Sequence, residues 1–176
     1  EQDGLSLGEA FEDFMRPPYF PVRLRDLLGE IRFHTVGDDD FAVDGTRVRA
    51  RFVPHIGPTL GFRVEHRGRS VAYISDHQQP LDGSMAVAPE ALELADGVDL
   101  LIHDAQYTAE EFTRKSHWGH CSIDYALHVA REAGARRLVL FHHDPSHGDE
   151  LVDVLLRDAN DRADRLGLDE VVAASE

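Results

Sequence analysis

Three apolar runs in this chain end in histidine and acid. Val71–Ile74 leads into Ser75, Asp76 and His77. Leu100–Ile102 leads into His103 and Asp104. Leu138–Phe141 leads into His142, His143 and Asp144. Short apolar runs of this kind read as buried strands. A carboxylate at the end of a buried strand is costly unless something pairs with it. A fold that gathers the three strand ends at one sheet edge, with loops between them, satisfies these groups together and makes a natural place for a site.

The remaining pattern fits such a sheet. Residues 6–15 predict a helix with Leu7, Ala10, Phe11 and Phe14 on one face, and Pro17, Pro18 and Pro21 end it. A short helix is expected over 22–28, a strand over 30–36 and a turn over 37–40. Residues 46–53 alternate arginine or threonine with Val48, Ala50 and Phe52, a strand with one wet face. Residues 60–66 and 70–75 predict an antiparallel pair joined by the turn at 67–69. Helices are then expected over 89–96, 108–114, 123–133 and 148–166, alternating with strands over 98–104 and 136–144. Ser122 caps the third of these helices and Gly134 stops it, and the last ten residues either make a final short strand, VVAA, or fray. The order predicts a layered α/β (α+β) fold, a single domain over 1–176 with helices covering a sheet.

The chain has 33 acidic and 18 basic residues, a net charge of −15, which argues against a nucleic-acid partner. A small anionic substrate stays open, because a bound metal supplies positive charge locally. One cysteine, Cys121, allows no internal disulfide and fits a reducing cytoplasm. No apolar run reaches the length of a membrane span, and no signal peptide is recognisable. The chain opens on Glu1 in a polar stretch, so residues are expected to be missing upstream.

Eleven histidines are unusual for this length, and His55, His77, His103, His120 and His142 fall near strand ends. Imidazole nitrogens with carboxylate oxygens suit zinc, manganese or iron. His55, Asp76 and His142 are the candidate metal ligands, and Asp76 is the best bridge should two ions sit about 3.5–4 Å apart. The competing reading is a histidine-rich acidic surface. His77 is expected behind the site or on the surface, and His103 in the packing. His117 and Trp118 either line a pocket or cover it. His147 either meets a substrate phosphate or lies on the surface, His143 and His128 are structural or exposed, and Cys121 packs as a small residue.

The ordered set PHIGPTLGFRVEHRGRSVAYISD, LLIHDAQY, HWGHCS and LVLFHHDPSH resembles the second half of a metallo-β-lactamase-fold hydrolase, on the phosphodiesterase side of that superfamily. Relatives there include the tRNA 3′-processing endonucleases and the cyclic phosphodiesterase of the carbon–phosphorus lyase pathway. The resemblance implies an αββα sandwich of which this chain is the C-terminal two-thirds. It implies a metal-dependent hydrolase, with two divalent ions, zinc or manganese, in the intact protein. His55 matches the histidine on the first metal, Asp76 the bridging aspartate and His142 the histidine on the second metal. His120 matches the proton donor to the leaving oxygen, and Asp104 the acid that orients and charges it, so that His120, Asp104 and Asp76 form the catalytic set. The family's His-x-His-x-Asp-His motif is absent from the 176 residues, so the fragment alone is expected to be inactive. The tRNA-processing relatives carry a long arm between the matches of His55 and Asp76, whereas only 20 residues separate the two here, and with the acidic balance this argues against tRNA. The expected substrate is therefore a small molecule with a phosphodiester, and the relatives suggest a homodimer. A lactone, thioester or amide hydrolase on the same fold, or a non-catalytic fragment, are the alternatives.

Overall fold

The computed structural model describes residues 6–175 and divides into two compact units, Glu1–Val36 and Gly37–Glu176. In the first unit, helix α1 (Leu7–Phe14) starts at Ser6, whose side chain accepts from the Glu9 N–H while the Glu9 carboxylate accepts from the Ser6 N–H. This reciprocal pairing satisfies donors that a helix start leaves free. A 3₁₀ turn spans Leu24–Asp26. Residues 30–36 form no strand. Instead Phe33 turns its ring onto α1, 5.7 Å from the Phe11 ring and against the bare Cα of Gly8.

The second unit is built on one seven-stranded sheet in the order β1 (Asp39–Val43), β2 (Thr46–Val53), β3 (Thr59–His66), β4 (Arg69–Ile74), β5 (Leu100–Asp104), β6 (Arg137–Phe141), β7 (Glu170–Ala173). The first four strands form an antiparallel meander, and β4 to β7 run parallel. The turn expected at 37–40 is half strand, because Asp44 and Gly45 take positive φ values of 48° and 79° and make the hairpin reversal there. Two central residues with φ > 0 match the twist of the flanking strands. Helices α2 (Pro89–Ala95), α3 (Ala109–Lys115), α4 (Ile123–Glu132) and α5 (Asp149–Leu166) fall within two residues of their expected bounds.

The two sheet faces differ. One register row, Ala72, Leu101, Leu138 and Val171, is at most 2% exposed and packs in one core with Leu94 of α2, Ala126 and Val129 of α4 and Ala159 of α5. The row on the opposite face is Ala50, Phe62, Tyr73, Ile102, Val139 and Val172. Tyr73 remains 37% exposed and Val172 36%. The run VAYI is therefore not wholly buried, since successive strand side chains point to opposite faces. One β layer and one α layer of the expected sandwich are present among the described residues. No helix among them is long and apolar enough to cross a membrane.

Strand direction, more than strand order, gathers the polar ends. Strands β2 and β4 run the same way, being two antiparallel steps apart, and β5 and β6 are parallel to β4. The C-terminal ends of β2, β4, β5 and β6 therefore share one edge.

Candidate functional site

Each of those four strand ends delivers a polar side chain. His55 lies two residues past β2, Asp76 two past β4, Asp104 is the last residue of β5 and His142 the first after β6. The loop before α4 adds His120. Ligand atoms of His55, Asp76 and His120 lie within 4.8 Å of one another. His142 Nε2 is 3.4 Å from Asp76 Oδ1, and its ring centroid is 4.6 Å from that of His120. The His55 and His120 rings are 5.4 Å apart. All five expected site residues converge, although 87 positions separate His55 from His142.

Asp104 is fully buried and its carboxylate is fully used. Oδ2 accepts from the His77 N–H at 3.0 Å and from His120 Nδ1 at 2.8 Å, and Oδ1 accepts from the Gln106 N–H at 3.1 Å. Burial acts to lower the His120 pKa. The Asp104 hydrogen bond and the charges of Asp104 and Asp76 outweigh it, and the net shift is upward. With Nδ1 committed to Asp104, Nε2 is the free nitrogen of this ring. Asp76 keeps one local partner, the Ser75 hydroxyl on Oδ2 at 2.6 Å.

The donors suit a divalent cation. His55 Nε2 is buried and has no hydrogen-bond partner. It faces Gly119, where an added Cβ would stand only 2.6 Å from that nitrogen. Gly119 also holds a φ of 98°, so this position demands glycine on two counts. An unpartnered buried nitrogen beside a carboxylate and further imidazoles is a donor set that suits a divalent metal ion. His142 has φ 59°, a left-handed conformation that costs a histidine about 1–3 kcal/mol.

Anchors hold that strained loop. Lys115 of α3 pairs with Asp144, and the Asp144 Oδ1 also accepts from the hydroxyl and N–H of Ser146. Glu111 of α3 accepts from His147 Nε2 at 2.9 Å. His147, expected at substrate phosphate or on the surface, has a side chain only 2% exposed and is engaged in this anchor. Burial acts to raise the Asp144 pKa, but Lys115 and the Ser146 bonds hold it far below the usual carboxylate range. A depressed carboxylate stabilises the fold above its unfolded pKa of about 3.9, and that contribution fades as pH falls toward the folded value. Lys115→Met is expected to lower unfolding free energy at pH 7 by about 1–3 kcal/mol. In urea melts the gap to wild type narrows below about pH 4. A gap that stays constant down to pH 2 would refute the anchoring role.

Behind the site, His77 and His103 are fully buried and joined by a 2.9 Å bond from Nδ1 to Nε2. Burial lowers both pKa values. His103 points to the helix face, as expected. Cys121 is buried and donates to the Asp104 carbonyl at 2.9 Å, and burial raises its thiol pKa, which fits a packing role. Trp118, 54% exposed, and His117 are on the 3₁₀ turn that leads into Gly119. His143 is half-buried.

Residues missed from sequence are mostly partners of partners. Gln79 Oε1 accepts from the N–H and hydroxyl of Ser122, and the Gln79 N–H donates to the His120 carbonyl, tying the loop after β4 to the loop that carries His120. Gln106, Glu111 and Lys115 act in the same way. A glutamine or lysine in a loop carries no periodic signal, so only contact across the chain reveals these.

Similarity to known proteins agrees with the fold. A ribonuclease Z of Haloferax volcanii is 34% identical over 143 residues, covering 78% of this chain and 40% of that protein. A metallo-β-lactamase-fold protein of Bacillus subtilis, YhfI, superposes with a TM-score of 0.62 at 19% identity, over 83% of this chain and 53% of its own. Human tRNase Z, short form, gives 0.55 at 24% identity, over 77% and 43%. The chain thus spans less than two thirds of the length of each. Relatives named ribonuclease Z overturn the expectation that nucleic acid is no partner. Net charge averages over the whole surface, whereas phosphate recognition is local and a bound cation supplies charge where it is needed. Residues 13–143 match the model of the beta-lactamase superfamily domain, and with the strand-end histidines and aspartates in place this chain belongs to that superfamily.

Proposed function

We propose that the protein containing this chain is a metal-dependent phosphodiesterase that acts on RNA, with His55, Asp76 and His142 holding metal and His120 as the general acid. The observation that carries the reading is the His120–Asp104 pair, 2.8 Å long and set beside the His55–Asp76–His142 group. A divalent ion, when bound, polarises a phosphoryl oxygen and lowers the pKa of water.

The chain's own residues do the rest. Asp104 accepts from His120 Nδ1, fixes the ring and favours its protonated form. Nε2–H then points to the cluster, where a leaving oxygen needs a proton. The names of the sequence relatives support ribonucleic acid over a small diester.

The test uses the full-length protein, loaded with zinc or manganese. Hydrolysis of bis-p-nitrophenyl phosphate and of a short structured RNA is expected, with the RNA preferred in kcat/KM. No hydrolysis of either substrate with both metals would overturn the reading. Hydrolysis of lactones or thioesters alone would transfer it to acyl chemistry.

A further inference from the structure

We infer that Gln106 sets the tautomer of His142 and thereby decides whether that imidazole has a lone pair to offer a cation. The inference rests on the reading of His142 as a metal ligand. Gln106 is 6% exposed, two residues past β5, and its N–H is tied to Asp104 Oδ1. Its amide nitrogen is 2.9 Å from His142 Nδ1, while its Oε1 is buried without a partner. On the other side of the same ring, Nε2 is 3.4 Å from Asp76 Oδ1.

A neutral imidazole has one N–H and one lone pair. With the amide NH₂ on Nδ1, the lone pair is spent there, and Nε2 carries its hydrogen toward Asp76. In that state His142 cannot ligate through Nε2. A half-turn of the amide about Cγ–Cδ exchanges its oxygen and nitrogen within the same volume. Oε1 then accepts from Nδ1–H, and Nε2 presents its lone pair on the Asp76 side. The two orientations of one buried amide thus correspond to two tautomers of the ring. Ligating histidines generally donate their other ring N–H to such an acceptor, and its removal costs about 10–100-fold in metal affinity. No other hydrogen-bond partner of Nδ1 occurs among the described residues.

The experiment uses the full-length protein with ¹⁵N-labelled histidine at pH 8. Two-bond ¹H–¹⁵N spectra report the ring tautomer, and competition with a chelating dye reports zinc affinity. His142 is expected as the Nε2–H tautomer without metal and as Nδ1–H with zinc. In Gln106→Leu, Asp76 still accepts from Nε2–H of the metal-free ring, and zinc affinity is expected to fall about 10–100-fold. Gln106→Glu, an acceptor only, is expected to turn the metal-free ring to Nδ1–H and to keep affinity within a few-fold of wild type, which also controls for misfolding. An unchanged His142 tautomer in folded Gln106→Glu, or unchanged zinc affinity in Gln106→Leu, would overturn the inference. Should wild type bind no zinc, the metal reading fails, and the metal-free spectrum of Gln106→Glu still decides the role of Gln106.

Discussion

Asp76→Ala in the full-length, metal-loaded protein is expected to lower phosphodiester hydrolysis by about 10³-fold or more. Several kcal/mol of transition-state stabilisation by a correctly held ion converts to that range. Asp76 is the only carboxylate in the cluster of His55, Asp76 and His120, and its Oδ1 lies 3.4 Å from His142 Nε2. Its loss removes the one carboxylate donor from a set otherwise made of imidazoles. Metal affinity, read by dye competition, is expected to fall with the rate. The fold is expected to survive, because Asp76 is half-buried and its other tie is the hydroxyl of its neighbour Ser75. A variant with unchanged metal affinity would remove Asp76 from the ligand set.

His120→Ala is expected to cost about 10²–10⁴-fold in kcat, the range for loss of a general acid. The pH profile separates this role from ligation. A group acting as an acid is active while protonated, so kcat falls as pH rises through the His120 pKa. The shift of that pKa is upward, because Asp104 and Asp76 favour the charged ring. Asp104→Asn removes the closer of those charges and also turns a carboxylate acceptor into an amide. The descending limb is then expected to move to lower pH, with kcat reduced across the range. His120 also belongs to the group of donors within 4.8 Å, so ligation is the rival role. Metal affinity that falls in parallel with rate in His120→Ala would make it a ligand, whereas rate lost with affinity kept makes it the acid.

The site was legible where it lay on the ends of strands. Asp76, Asp104 and His142 each close an apolar run, and a polar group there has few inexpensive structural explanations. His55 and His120 were harder. His55 follows an alternating strand, not an apolar run, and His120 sits in a loop, so their assignment came from resemblance to a family before the geometry placed them beside Asp76. His147 was misread because nothing local tells an imidazole bound for phosphate from one that will meet Glu111 on a helix 36 positions away. The exclusion of nucleic acid failed for a different reason: it treated a sum over 51 charged side chains as if it described one edge of the sheet.

Strand and helix positions came from residue order alone, because period-2 alternation, apolar run length, caps and glycine stops are local and act within a few residues. The exceptions are β1, which begins inside the turn expected at 37–40, and the strand expected at 30–36. In the latter the hydrophobic residues had a helix to pack on, and a strand needs a hydrogen-bonded neighbour as well as a pattern. Which of eleven histidines meet, which face of the sheet is covered and which amide touches His142 were decided only by tertiary structure. These depend on strand direction and on contacts between distant segments, and neither is written in any single stretch of the chain.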